Sequence, residues 1–334
     1  MQTDTDQSIL RLIVSDGSQV AARVAQHMGI TRQAASSHLA RLRKQGLVTL
    51  SGHGASTQYT LVTLAEQHRK YPREGLQEDA VWREFFVPQL LGLPSNVLSI
   101  WHYALTEMIN NAVDHSDATS IAVGLWRNAL YAEAYVLDDG EGIFLKIKRV
   151  FNLLDARESI LELAKGKLTT DPDNHTGEGI FFSSKIMDSF DIRSGRLQFT
   201  HNVGRKDWLI EHPTDAQGTL VLMRQTHDSE RTTKSVFDQF ATPEEYSFEK
   251  TIVPVRLAQY EGENLVSRSQ AKRLTLRFEK FTTVVLDFEG VAEIGQSFAD
   301  EVFRVFQRSR PQTQLVPVNM TLAVENMVRR ARSK

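Results

Sequence analysis

Hydrophobic positions recur at helical spacing in some stretches of the chain and at alternating spacing in others, and this pattern divides it into three segments. Residues 1–62 contain three short helical stretches followed by two alternating ones. Residues 79–247 open with a long helical stretch, and residues 248–334 alternate strands with helices. The polar residues 63–78 predict a linker between the first two segments. The chain is therefore predicted to have a multidomain α/β (α+β) fold.

The first segment combines three predicted helices with a predicted hairpin. Ser18 and Thr31 are residues of the type that caps helix N-termini, and Gly29 stands where the second helix would end. Residues 47–50 and 58–62 are predicted as two strands on either side of a polar turn.

The stretch from Val24 to Val48 resembles the winged helix-turn-helix domains of bacterial transcription regulators. This resemblance implies that the segment binds DNA, with its third helix in the major groove and its hairpin as a wing. A module of this fold that serves only for protein contact or dimerisation is the alternative. The implied groove contacts are Thr31, Arg32, Gln33, Ser36 and Ser37, and the implied phosphate contacts are Arg41, Arg43, Lys44 and the wing residue His53.

A helix predicted over residues 95–115 places polar side chains in one line. Glu107 and Asn111 are four residues apart, so their side chains stack on the same face, and His115 continues the line. Glu107 and Asn111 either belong to an ordinary helix surface or line a site, and a structural hydrogen bond is the alternative for His115. The neighbouring apolar stripe, which faces the core, consists of Leu98, Trp101, Leu105, Met108 and Ala112.

Two glycine-containing segments follow this helix. The first ends a strand predicted over residues 131–137, and the second opens another helix. Glycines let a backbone approach phosphates or a base closely, and a helix N-terminus favours an anion. The residues of interest are Asp138, Gly140, Gly142 and Ile143 in the first segment, and Thr176, Gly177, Glu178, Gly179 and Ile180 in the second.

These residue types suit a magnesium nucleotide. Mg²⁺ prefers oxygen ligands and keeps several waters, so the carbonyl of Asn111 together with phosphates can suffice. A carboxylate one helical turn away, Glu107, can orient or deprotonate a nucleophile. Asp138 can accept a hydrogen bond from the adenine amino group, whereas guanine presents a carbonyl there. The sequence therefore predicts ATP and Mg²⁺ as cofactors.

Taken in order, the motifs within residues 80–225 resemble the gyrase, heat-shock chaperone, histidine-kinase and MutL (GHKL) ATPase superfamily, and especially gyrase and the anti-sigma-factor serine kinases. The resemblance implies a Bergerat-type α/β sandwich. It makes Glu107 the general base, Asn111 the Mg²⁺ ligand and Asp138 the adenine-binding residue. It also implies that Gly140 and Gly142 shape the base pocket, that Gly177 and Gly179 line the phosphates, and that Thr219 lies near the base.

The same resemblance implies a mobile lid over the phosphates, predicted over residues 145–175. Lys165, Lys167, Thr169 and Thr170 could reach phosphate from this lid. A solvated charged face is the alternative for the two lysines.

The third segment resembles the STAS-like domains related to anti-sigma-factor antagonists. The resemblance rests on residues 284–301, where a predicted buried strand leads into a helix. In the resembled system, a kinase of the central type phosphorylates a STAS serine at such a junction. Gln296 stands at the expected acceptor position with Ser297 beside it, so the favoured interpretation of Ser297 is a helix-capping residue rather than a phosphoacceptor.

Composition narrows the functional classes. A net charge of −2 over 334 residues argues against binding of polyanions by the chain as a whole. The absence of cysteine excludes disulfides, cysteine–zinc sites and thiol catalysis, and it fits a reducing cytoplasm. No apolar run reaches about 18 residues, so no membrane association is predicted.

Two functional hypotheses follow. In the first, the chain is a transcriptional or signalling regulator in which Mg-ATP binding, with or without hydrolysis, controls the binding of DNA or of a protein partner. In the second, it is a protein serine/threonine kinase or an ATPase that acts on a STAS-like partner, with Glu107 as the base. The predicted partners are DNA and a STAS-like or other protein, and a homodimer is left open.

Overall fold

The computed structural model describes residues 4–169, 176–205, 207–241, 247–259 and 263–333. These residues form a winged helix, a five-stranded antiparallel sheet with helices, and a three-stranded parallel sheet with helices. The predicted multidomain α/β (α+β) fold is therefore confirmed. Within the described ranges, no helix is both long enough and apolar enough to cross a membrane.

The N-terminal winged helix has the element order that the sequence predicts. Thr31 caps the third helix, because its hydroxyl accepts a hydrogen bond from the Ala34 backbone N–H at 3.2 Å. Gly29 ends the second helix in the left-handed region at φ 65°, which glycine adopts without strain. The elements are α1 Asp4–Ser15, α2 Val20–Met28, α3 Arg32–Lys44, β1 Val48–Ser51 and β2 Gln58–Leu61.

The central region is built on the antiparallel sheet. A π-helical stretch, residues 82–86, joins its first two helices into one continuous helical segment. The elements are β3 Ala65–Pro72, α4 Glu78–Val81, α5 Val87–Leu90, α6 Ser95–His115, β4 Ser120–Arg127, β5 Tyr131–Asp138, α7 Ile143–Val150, α8 Glu158–Lys165, α9 Gly179–Ile186, β6 Ser189–Asn202, β7 Trp208–Thr226 and α10 Thr233–Phe237.

The strand order of this sheet is β3-β4-β5-β7-β6, so β5 is its middle strand. Helix α6 has the bounds that the sequence predicts, and its apolar stripe, which includes Trp101, Leu105 and Met108, is buried. At the end of β5, Asp138 stands opposite Thr219 of β7. The topology therefore places two predicted site residues side by side.

Residues 63–78 were predicted as a linker, and this prediction is wrong for half of the stretch. Ala65–Pro72 form the edge strand β3, which pairs antiparallel with β4. The side chains of β3 are mostly exposed and polar or charged. An edge strand exposed to water favours such residues because they discourage pairing with other chains. The same polarity is typical of linkers, so the pattern alone does not separate the two.

The C-terminal region alternates strands and helices, as predicted. Its three strands are parallel and lie in the order β10-β9-β8. The strand predicted over residues 251–260 is shorter, because a 3-10 helix, Val255–Ala258, follows it; Tyr260 lies outside the described residues. The elements are β8 Lys250–Pro254, α11 Arg268–Thr275, β9 Thr283–Asp287, α12 Gln296–Asp300, α13 Gln307–Ser309, β10 Gln314–Val318 and α14 Leu322–Arg332.

Two hydrophobic cores hold these regions together. One core runs continuously through the central and C-terminal regions. The other belongs to the winged helix and includes Ala129 and Leu130 from the turn between β4 and β5. A salt bridge between Arg11 and Asp228 joins α1 to the chain just after β7. The winged helix is therefore packed against one end of the central sheet.

Candidate functional site

A cavity of about 290 Å³ lies among α6, the end of β5, the interior of β7, α7, α9, and α8 with the chain after it. It brings together all of the nucleotide-site residues predicted from the sequence except Gly140. The predicted residues that line it are Glu107, Asn111, Asp138, Gly142, Ile143, Thr176, Gly177, Glu178, Gly179, Ile180 and Thr219.

Apolar side chains make up much of the remaining cavity wall. They come from helices α6, α7 and α8, from the chain after α8 and from strands β5 and β7. A largely apolar cavity with a few placed polar groups is typical of small-molecule sites, because burial supplies affinity and the polar groups fix orientation. The apolar residues are Met108, Ala112, Val136, Ile147, Leu163, Leu168 and Val221.

Helix α6 contributes Glu107, Asn111 and His115 to the cavity from one face, as their spacing predicts. The Asn111 Nδ2 atom is buried and has no hydrogen-bond partner in the described part of the chain. A buried polar group without a partner costs about 1–3 kcal/mol, unless a ligand or water satisfies it. The Asn111 amide is therefore a candidate ligand contact.

Asp138 is a buried carboxylate at the end of β5. Its Oδ1 atom accepts hydrogen bonds from the backbone N–H of Gly140 at 2.9 Å and of Thr219 at 3.2 Å. Burial raises the pKa of Asp138, and these hydrogen bonds oppose the shift because they stabilise the ionised form. The Thr219 hydroxyl accepts from the Ile143 backbone N–H at 3.0 Å. These bonds fix a hydrogen-bond acceptor in the cavity wall.

Two glycines allow the backbone around Asp138 to close up. Gly142 has φ +93°, and a Cβ there would lie 2.4 Å from Ser194 Oγ. Gly218 has φ +70°, and its Cβ would lie 1.9 Å from the Asp138 carbonyl oxygen. A side chain at either position would push apart the strand ends that hold Asp138.

Gly140 lies beside the cavity without lining it, and its backbone N–H holds the Asp138 carboxylate in place. That Gly140 shapes the base pocket stays a prediction. A Cβ on Gly140 would lie 1.9 Å from the Ser116 carbonyl oxygen. Glycine is therefore needed there for close packing against the end of α6.

The Glu107 carboxylate lies against the first residue of α9. A Cβ on Gly179 would lie 2.0 Å from Glu107 Oε2, so a larger residue would displace the carboxylate. The start of a helix favours negative charge, which suits an ionised Glu107. Gly177 has φ +72°, and its carbonyl accepts from the Leu168 backbone N–H at 3.1 Å. This bond joins the chain after α8 to the chain before α9.

Acidic side chains outnumber basic ones on the cavity wall. Glu107, Asp138 and Glu178 face it, whereas Lys146 is the sole lysine or arginine among its described lining residues. Lys146 Nζ donates to Asp117 Oδ2 at 2.7 Å. Burial raises the pKa of Glu178, which favours its neutral form. A bare polyanion would be repelled by this wall, so an anionic ligand needs an accompanying cation.

The cavity offers no complete protein site for a metal ion. Across the described ranges, no group of three or more His, Cys, Asp or Glu side chains could hold one. A cation at this site would therefore depend on oxygen atoms of the ligand as well as on Asn111, as the sequence predicts for Mg²⁺.

The predicted lid contains two packed helices. Lys165 is buried in protein contacts and does not face the cavity, where it was expected to contact phosphate. Lys165 is 0 % exposed, and its Nζ donates to Glu162 Oε1 at 2.6 Å, to the Leu276 carbonyl at 2.9 Å and to the Arg273 carbonyl at 3.2 Å. All three ammonium hydrogens therefore have protein acceptors. Both interpretations of Lys165, a phosphate contact and a solvated face, are wrong.

Lys167 is also committed to protein contacts. Its Nζ donates to Glu249 Oε1 at 3.1 Å and to the Lys280 carbonyl at 3.0 Å, and it does not line the cavity. Thr169 does line the cavity. Thr170 and the rest of the predicted lid up to His175 lie outside the described residues.

The predicted DNA-binding residues all lie on the exposed surface of the winged helix, but Arg41 has a structural partner. Its guanidinium bonds to both carboxylate oxygens of Asp6, which is buried, with NH1 at 3.2 Å from Oδ2. This salt bridge holds α3 against α1, and the phosphate contact predicted for Arg41 stays a prediction. The exposed set is Thr31, Arg32, Gln33, Ser36, Ser37, Arg41, Arg43, Lys44 and His53.

The junction between β9 and α12 does not place a capping serine. Gly295 is the N-cap residue of α12, and Ser297 is the second residue inside the helix. The prediction that Ser297 caps this helix is therefore wrong. Gln296 and Ser297 are both exposed.

Sequence reasoning missed several cavity residues. Lys146 had a usable signal, because it follows Gly142 by four residues and lies one helical turn above it, with its N–H donating to the Gly142 carbonyl at 3.0 Å. Leu163 and Leu168 carried no signal, because an apolar residue that lines a cavity has the same pattern as one that fills a core.

Two parts of the chain match known families. Residues 2–49 match a family model described as winged helix-turn-helix DNA-binding. Residues 270–325 match a family model described as a STAS-like domain of unknown function. No curated protein matches the chain. The chain therefore joins a DNA-binding winged helix to a STAS-like domain, which is the composition of a regulator, and the resemblance of the central region to GHKL ATPases stays a prediction.

Proposed function

We propose that the central cavity binds Mg-ATP and that this binding controls how the chain engages DNA or a protein partner. The main support is that Glu107, Asn111 and Asp138 line the same cavity. The first two come from α6 and the third from the end of β5. Buried polar groups carry a desolvation cost, so their presence does not help the chain to fold. Two carboxylates and an amide around a largely apolar cavity therefore indicate a binding function.

The Asp138 end of the cavity suits adenine. A fixed carboxylate can accept a hydrogen bond from the adenine amino group, and the apolar residues Val136, Met108 and Val221 offer a dry environment for a base. Guanine would place a carbonyl oxygen against the same carboxylate. That pairing leaves two acceptors facing each other, so GTP should bind more weakly than ATP.

The Asn111 end of the cavity suits phosphates with Mg²⁺. The unpaired Asn111 amide nitrogen is available to a phosphate oxygen, and its carbonyl oxygen would be the protein ligand of the metal. Bound Mg²⁺ would offset the repulsion between phosphates and the Glu107 carboxylate. The backbone around Gly177 and the start of α9 would receive the phosphate charge.

Strand β5 offers a direct connection between this cavity and the winged helix. The turn that precedes it contributes Ala129 and Leu130 to the winged-helix core, and its last residue is Asp138. Coupling requires that ATP favour one arrangement of the contact between the winged helix and the central sheet over another. A change at Asp138 upon binding can be transmitted along a strand that is hydrogen-bonded on both sides.

Asp138→Asn in the full-length chain tests nucleotide binding. Titration calorimetry with ATP and Mg²⁺ should show at least about tenfold weaker binding, because the Gly140 and Thr219 N–H groups would hold the one amide oxygen and leave the NH2 group facing the adenine amino group. Glu141→Gln is the matched control, since Glu141 is exposed, pairs with Arg149 and does not line the cavity. Equal ATP affinity in the natural chain and Asp138→Asn would overturn the assignment of the base site.

DNA binding tests the regulatory half of the proposal. A DNA duplex that the chain enriches from a random-sequence pool should bind with an affinity that changes when ATP and Mg²⁺ are added. Asp138→Asn should lose this ATP effect and keep basal DNA binding, because α3 is unchanged. DNA affinity that ignores ATP in a chain that binds ATP would overturn the coupling to DNA.

The placement of Glu107 favours one catalytic alternative, ATP hydrolysis or phosphoryl transfer to a serine or threonine of a STAS-like partner. Its carboxylate lines the cavity beside Gly179, where the phosphates would lie. There it can accept the proton of an attacking water or hydroxyl. γ-labelled ATP, incubated with the chain and with Glu107→Gln, distinguishes the outcomes: label release or transfer that Glu107→Gln abolishes supports catalysis, and its absence leaves binding alone as the signal.

A further inference from the structure

Helix α8 and the residues after it contact the cavity on one side and the C-terminal region on the other. Leu163, Leu168 and Thr169 line the cavity. Between them, the chain from Lys165 to Lys167 forms hydrogen bonds with residues more than 80 positions away. One short stretch therefore forms a wall of the cavity and also an interface.

Arg277 lies at the centre of this interface, within the part of the chain that matches the STAS-like family. Its NH1 donates to Glu162 Oε2 at 2.9 Å, and its NH2 donates to the carbonyl oxygens of Gly166, at 2.8 Å, and Lys167. Arg277 is 6 % exposed and has φ +66°, a left-handed conformation that a non-glycine residue adopts only when its surroundings impose it.

Carbonyls at the end of α8 and just after it accept hydrogen bonds from this interface. The Thr251 hydroxyl donates to the Lys165 carbonyl at 2.7 Å, and Arg277 supplies the donors for the next two carbonyls. The last carbonyls of a helix need partners from outside the helix. Here β8 and the STAS-like domain provide them, so the path of the cavity wall beyond α8 depends on the C-terminal region.

We propose that the STAS-like domain sets the nucleotide affinity of the cavity by holding the wall at residues 163–169 in place through Arg277. The proposal rests on the nucleotide site proposed above and adds its regulation. A wall that is fixed before binding has less freedom to lose when the ligand arrives, so the ligand binds more tightly. Linkage requires the reverse effect as well: bound nucleotide must strengthen the contact between α8 and the STAS-like domain.

The geometry distinguishes this role from ordinary stabilisation. A buried ion pair adds little stability over apolar packing, because its charges lose their hydration. Arg277 donates two hydrogen bonds to backbone carbonyls of the wall, those of Gly166 and Lys167, and neither of these lies in its own domain. Those bonds determine where the wall lies, which is the property that a ligand in the cavity would sense.

Variants of the full-length chain test the proposal by titration calorimetry with ATP and Mg²⁺. Arg277→Gln should weaken ATP binding by about tenfold, and Thr251→Val, which removes one hydrogen bond without changing shape, by about threefold. Arg268→Gln is the matched control, because Arg268 is exposed on α11, and it should bind like the natural chain.

Amide hydrogen exchange provides a second test, because a purely structural role for Arg277 would not make exchange depend on ATP. In the natural chain, ATP should slow exchange at residues 273–280, outside the cavity, and Thr251→Val should reduce this effect. If Arg277→Gln does not fold, Thr251→Val and the ATP-dependent protection of the natural chain still decide the question.

Each outcome bears on one of the two proposals. ATP affinity that is equal in the natural chain and in the folded variants overturns this inference, and so does an absence of ATP-dependent protection at residues 273–280. No ATP binding by the natural chain overturns the proposed function itself, and the inference with it. Graded loss of affinity from Thr251→Val to Arg277→Gln, with protection in the natural chain, supports both.

Discussion

Helices α3 and α8 both end in basic residues, and their surroundings are opposite. On α3, Arg43 and Lys44 are exposed. On α8, Lys165 is fully buried, and its hydration is replaced by one carboxylate and two carbonyls. An exposed cation can exchange water for a phosphate, whereas a buried cation depends on partners at fixed positions. The same kind of residue therefore suits binding in one region and architecture in the other.

The largest expected effect comes from breaking the buried cluster. Glu162→Ala would leave Lys165 and Arg277 buried without their carboxylate, so the free energy of unfolding should fall by about 3–5 kcal/mol in denaturant titrations. Glu325→Ala is the control, because Glu325 pairs with Arg329 on the surface of α14 and should change stability by about 0.5 kcal/mol or less. Equal losses in the two variants would contradict the contrast between buried and exposed pairs.

Arg41 and Arg43 test the same contrast within α3. Arg41→Ala removes the salt bridge to the buried carboxylate of Asp6, so unfolding should require about 1–3 kcal/mol less. Arg43→Ala should change stability by about 0.5 kcal/mol or less, because Arg43 is exposed. Urea unfolding of both variants measures this. Similar stabilities of the two variants would show that the Arg41–Asp6 salt bridge contributes no more than an exposed side chain.

His227 lies near the contact between the winged helix and the central sheet and should make the stability of the chain depend on pH. Its Nε2 pairs with the Asn128 carbonyl at 2.9 Å, and its Nδ1 is buried with no partner in the described chain. Burial lowers the pKa of His227 to about 4, from 6.5. Between these values the unfolded chain binds more protons than the folded one, so stability should fall as the pH drops from about 6.5 to about 4.

Thermal unfolding midpoints across that pH range measure this effect. His227→Gln should flatten the slope, because the amide can still donate to Asn128 and does not titrate. His27→Gln, at an exposed position on α2, should keep the slope of the natural chain. A slope that survives in His227→Gln would assign the titration to another group.

The smallest expected effects concern single exposed cations on α3. Arg43→Ala and Lys44→Ala should each weaken DNA binding a few-fold and reduce the slope of log affinity against log salt by about one, because each would release about one counterion fewer. Lys272→Ala, exposed on α11 in the C-terminal region, should leave both quantities unchanged. Filter binding at several salt concentrations measures them. An unchanged salt slope in Arg43→Ala would exclude Arg43 as a phosphate contact.

Local pattern predicted much of the fold and most of the cavity lining. Helix α6 has the bounds that its periodicity predicts, and Thr31 caps α3 as its residue type predicts. The spacing of Glu107 and Asn111 placed both on the cavity. Prediction failed for β3, because an edge strand and a linker share the same polarity, and for Ser297, because a cap depends on where the helix starts.

The sequence by itself determined which residues share a helix face and which positions require glycine, because neighbouring residues decide these properties. Only the tertiary structure decided which charges are buried. Lys165 finds acceptors 108 and 111 residues away, and Arg41 finds its carboxylate 35 residues away. No local pattern records such partners, since burial and pairing of a charge depend on which segments pack against it. Two basic helix ends that look alike in the sequence therefore have different roles in the folded chain.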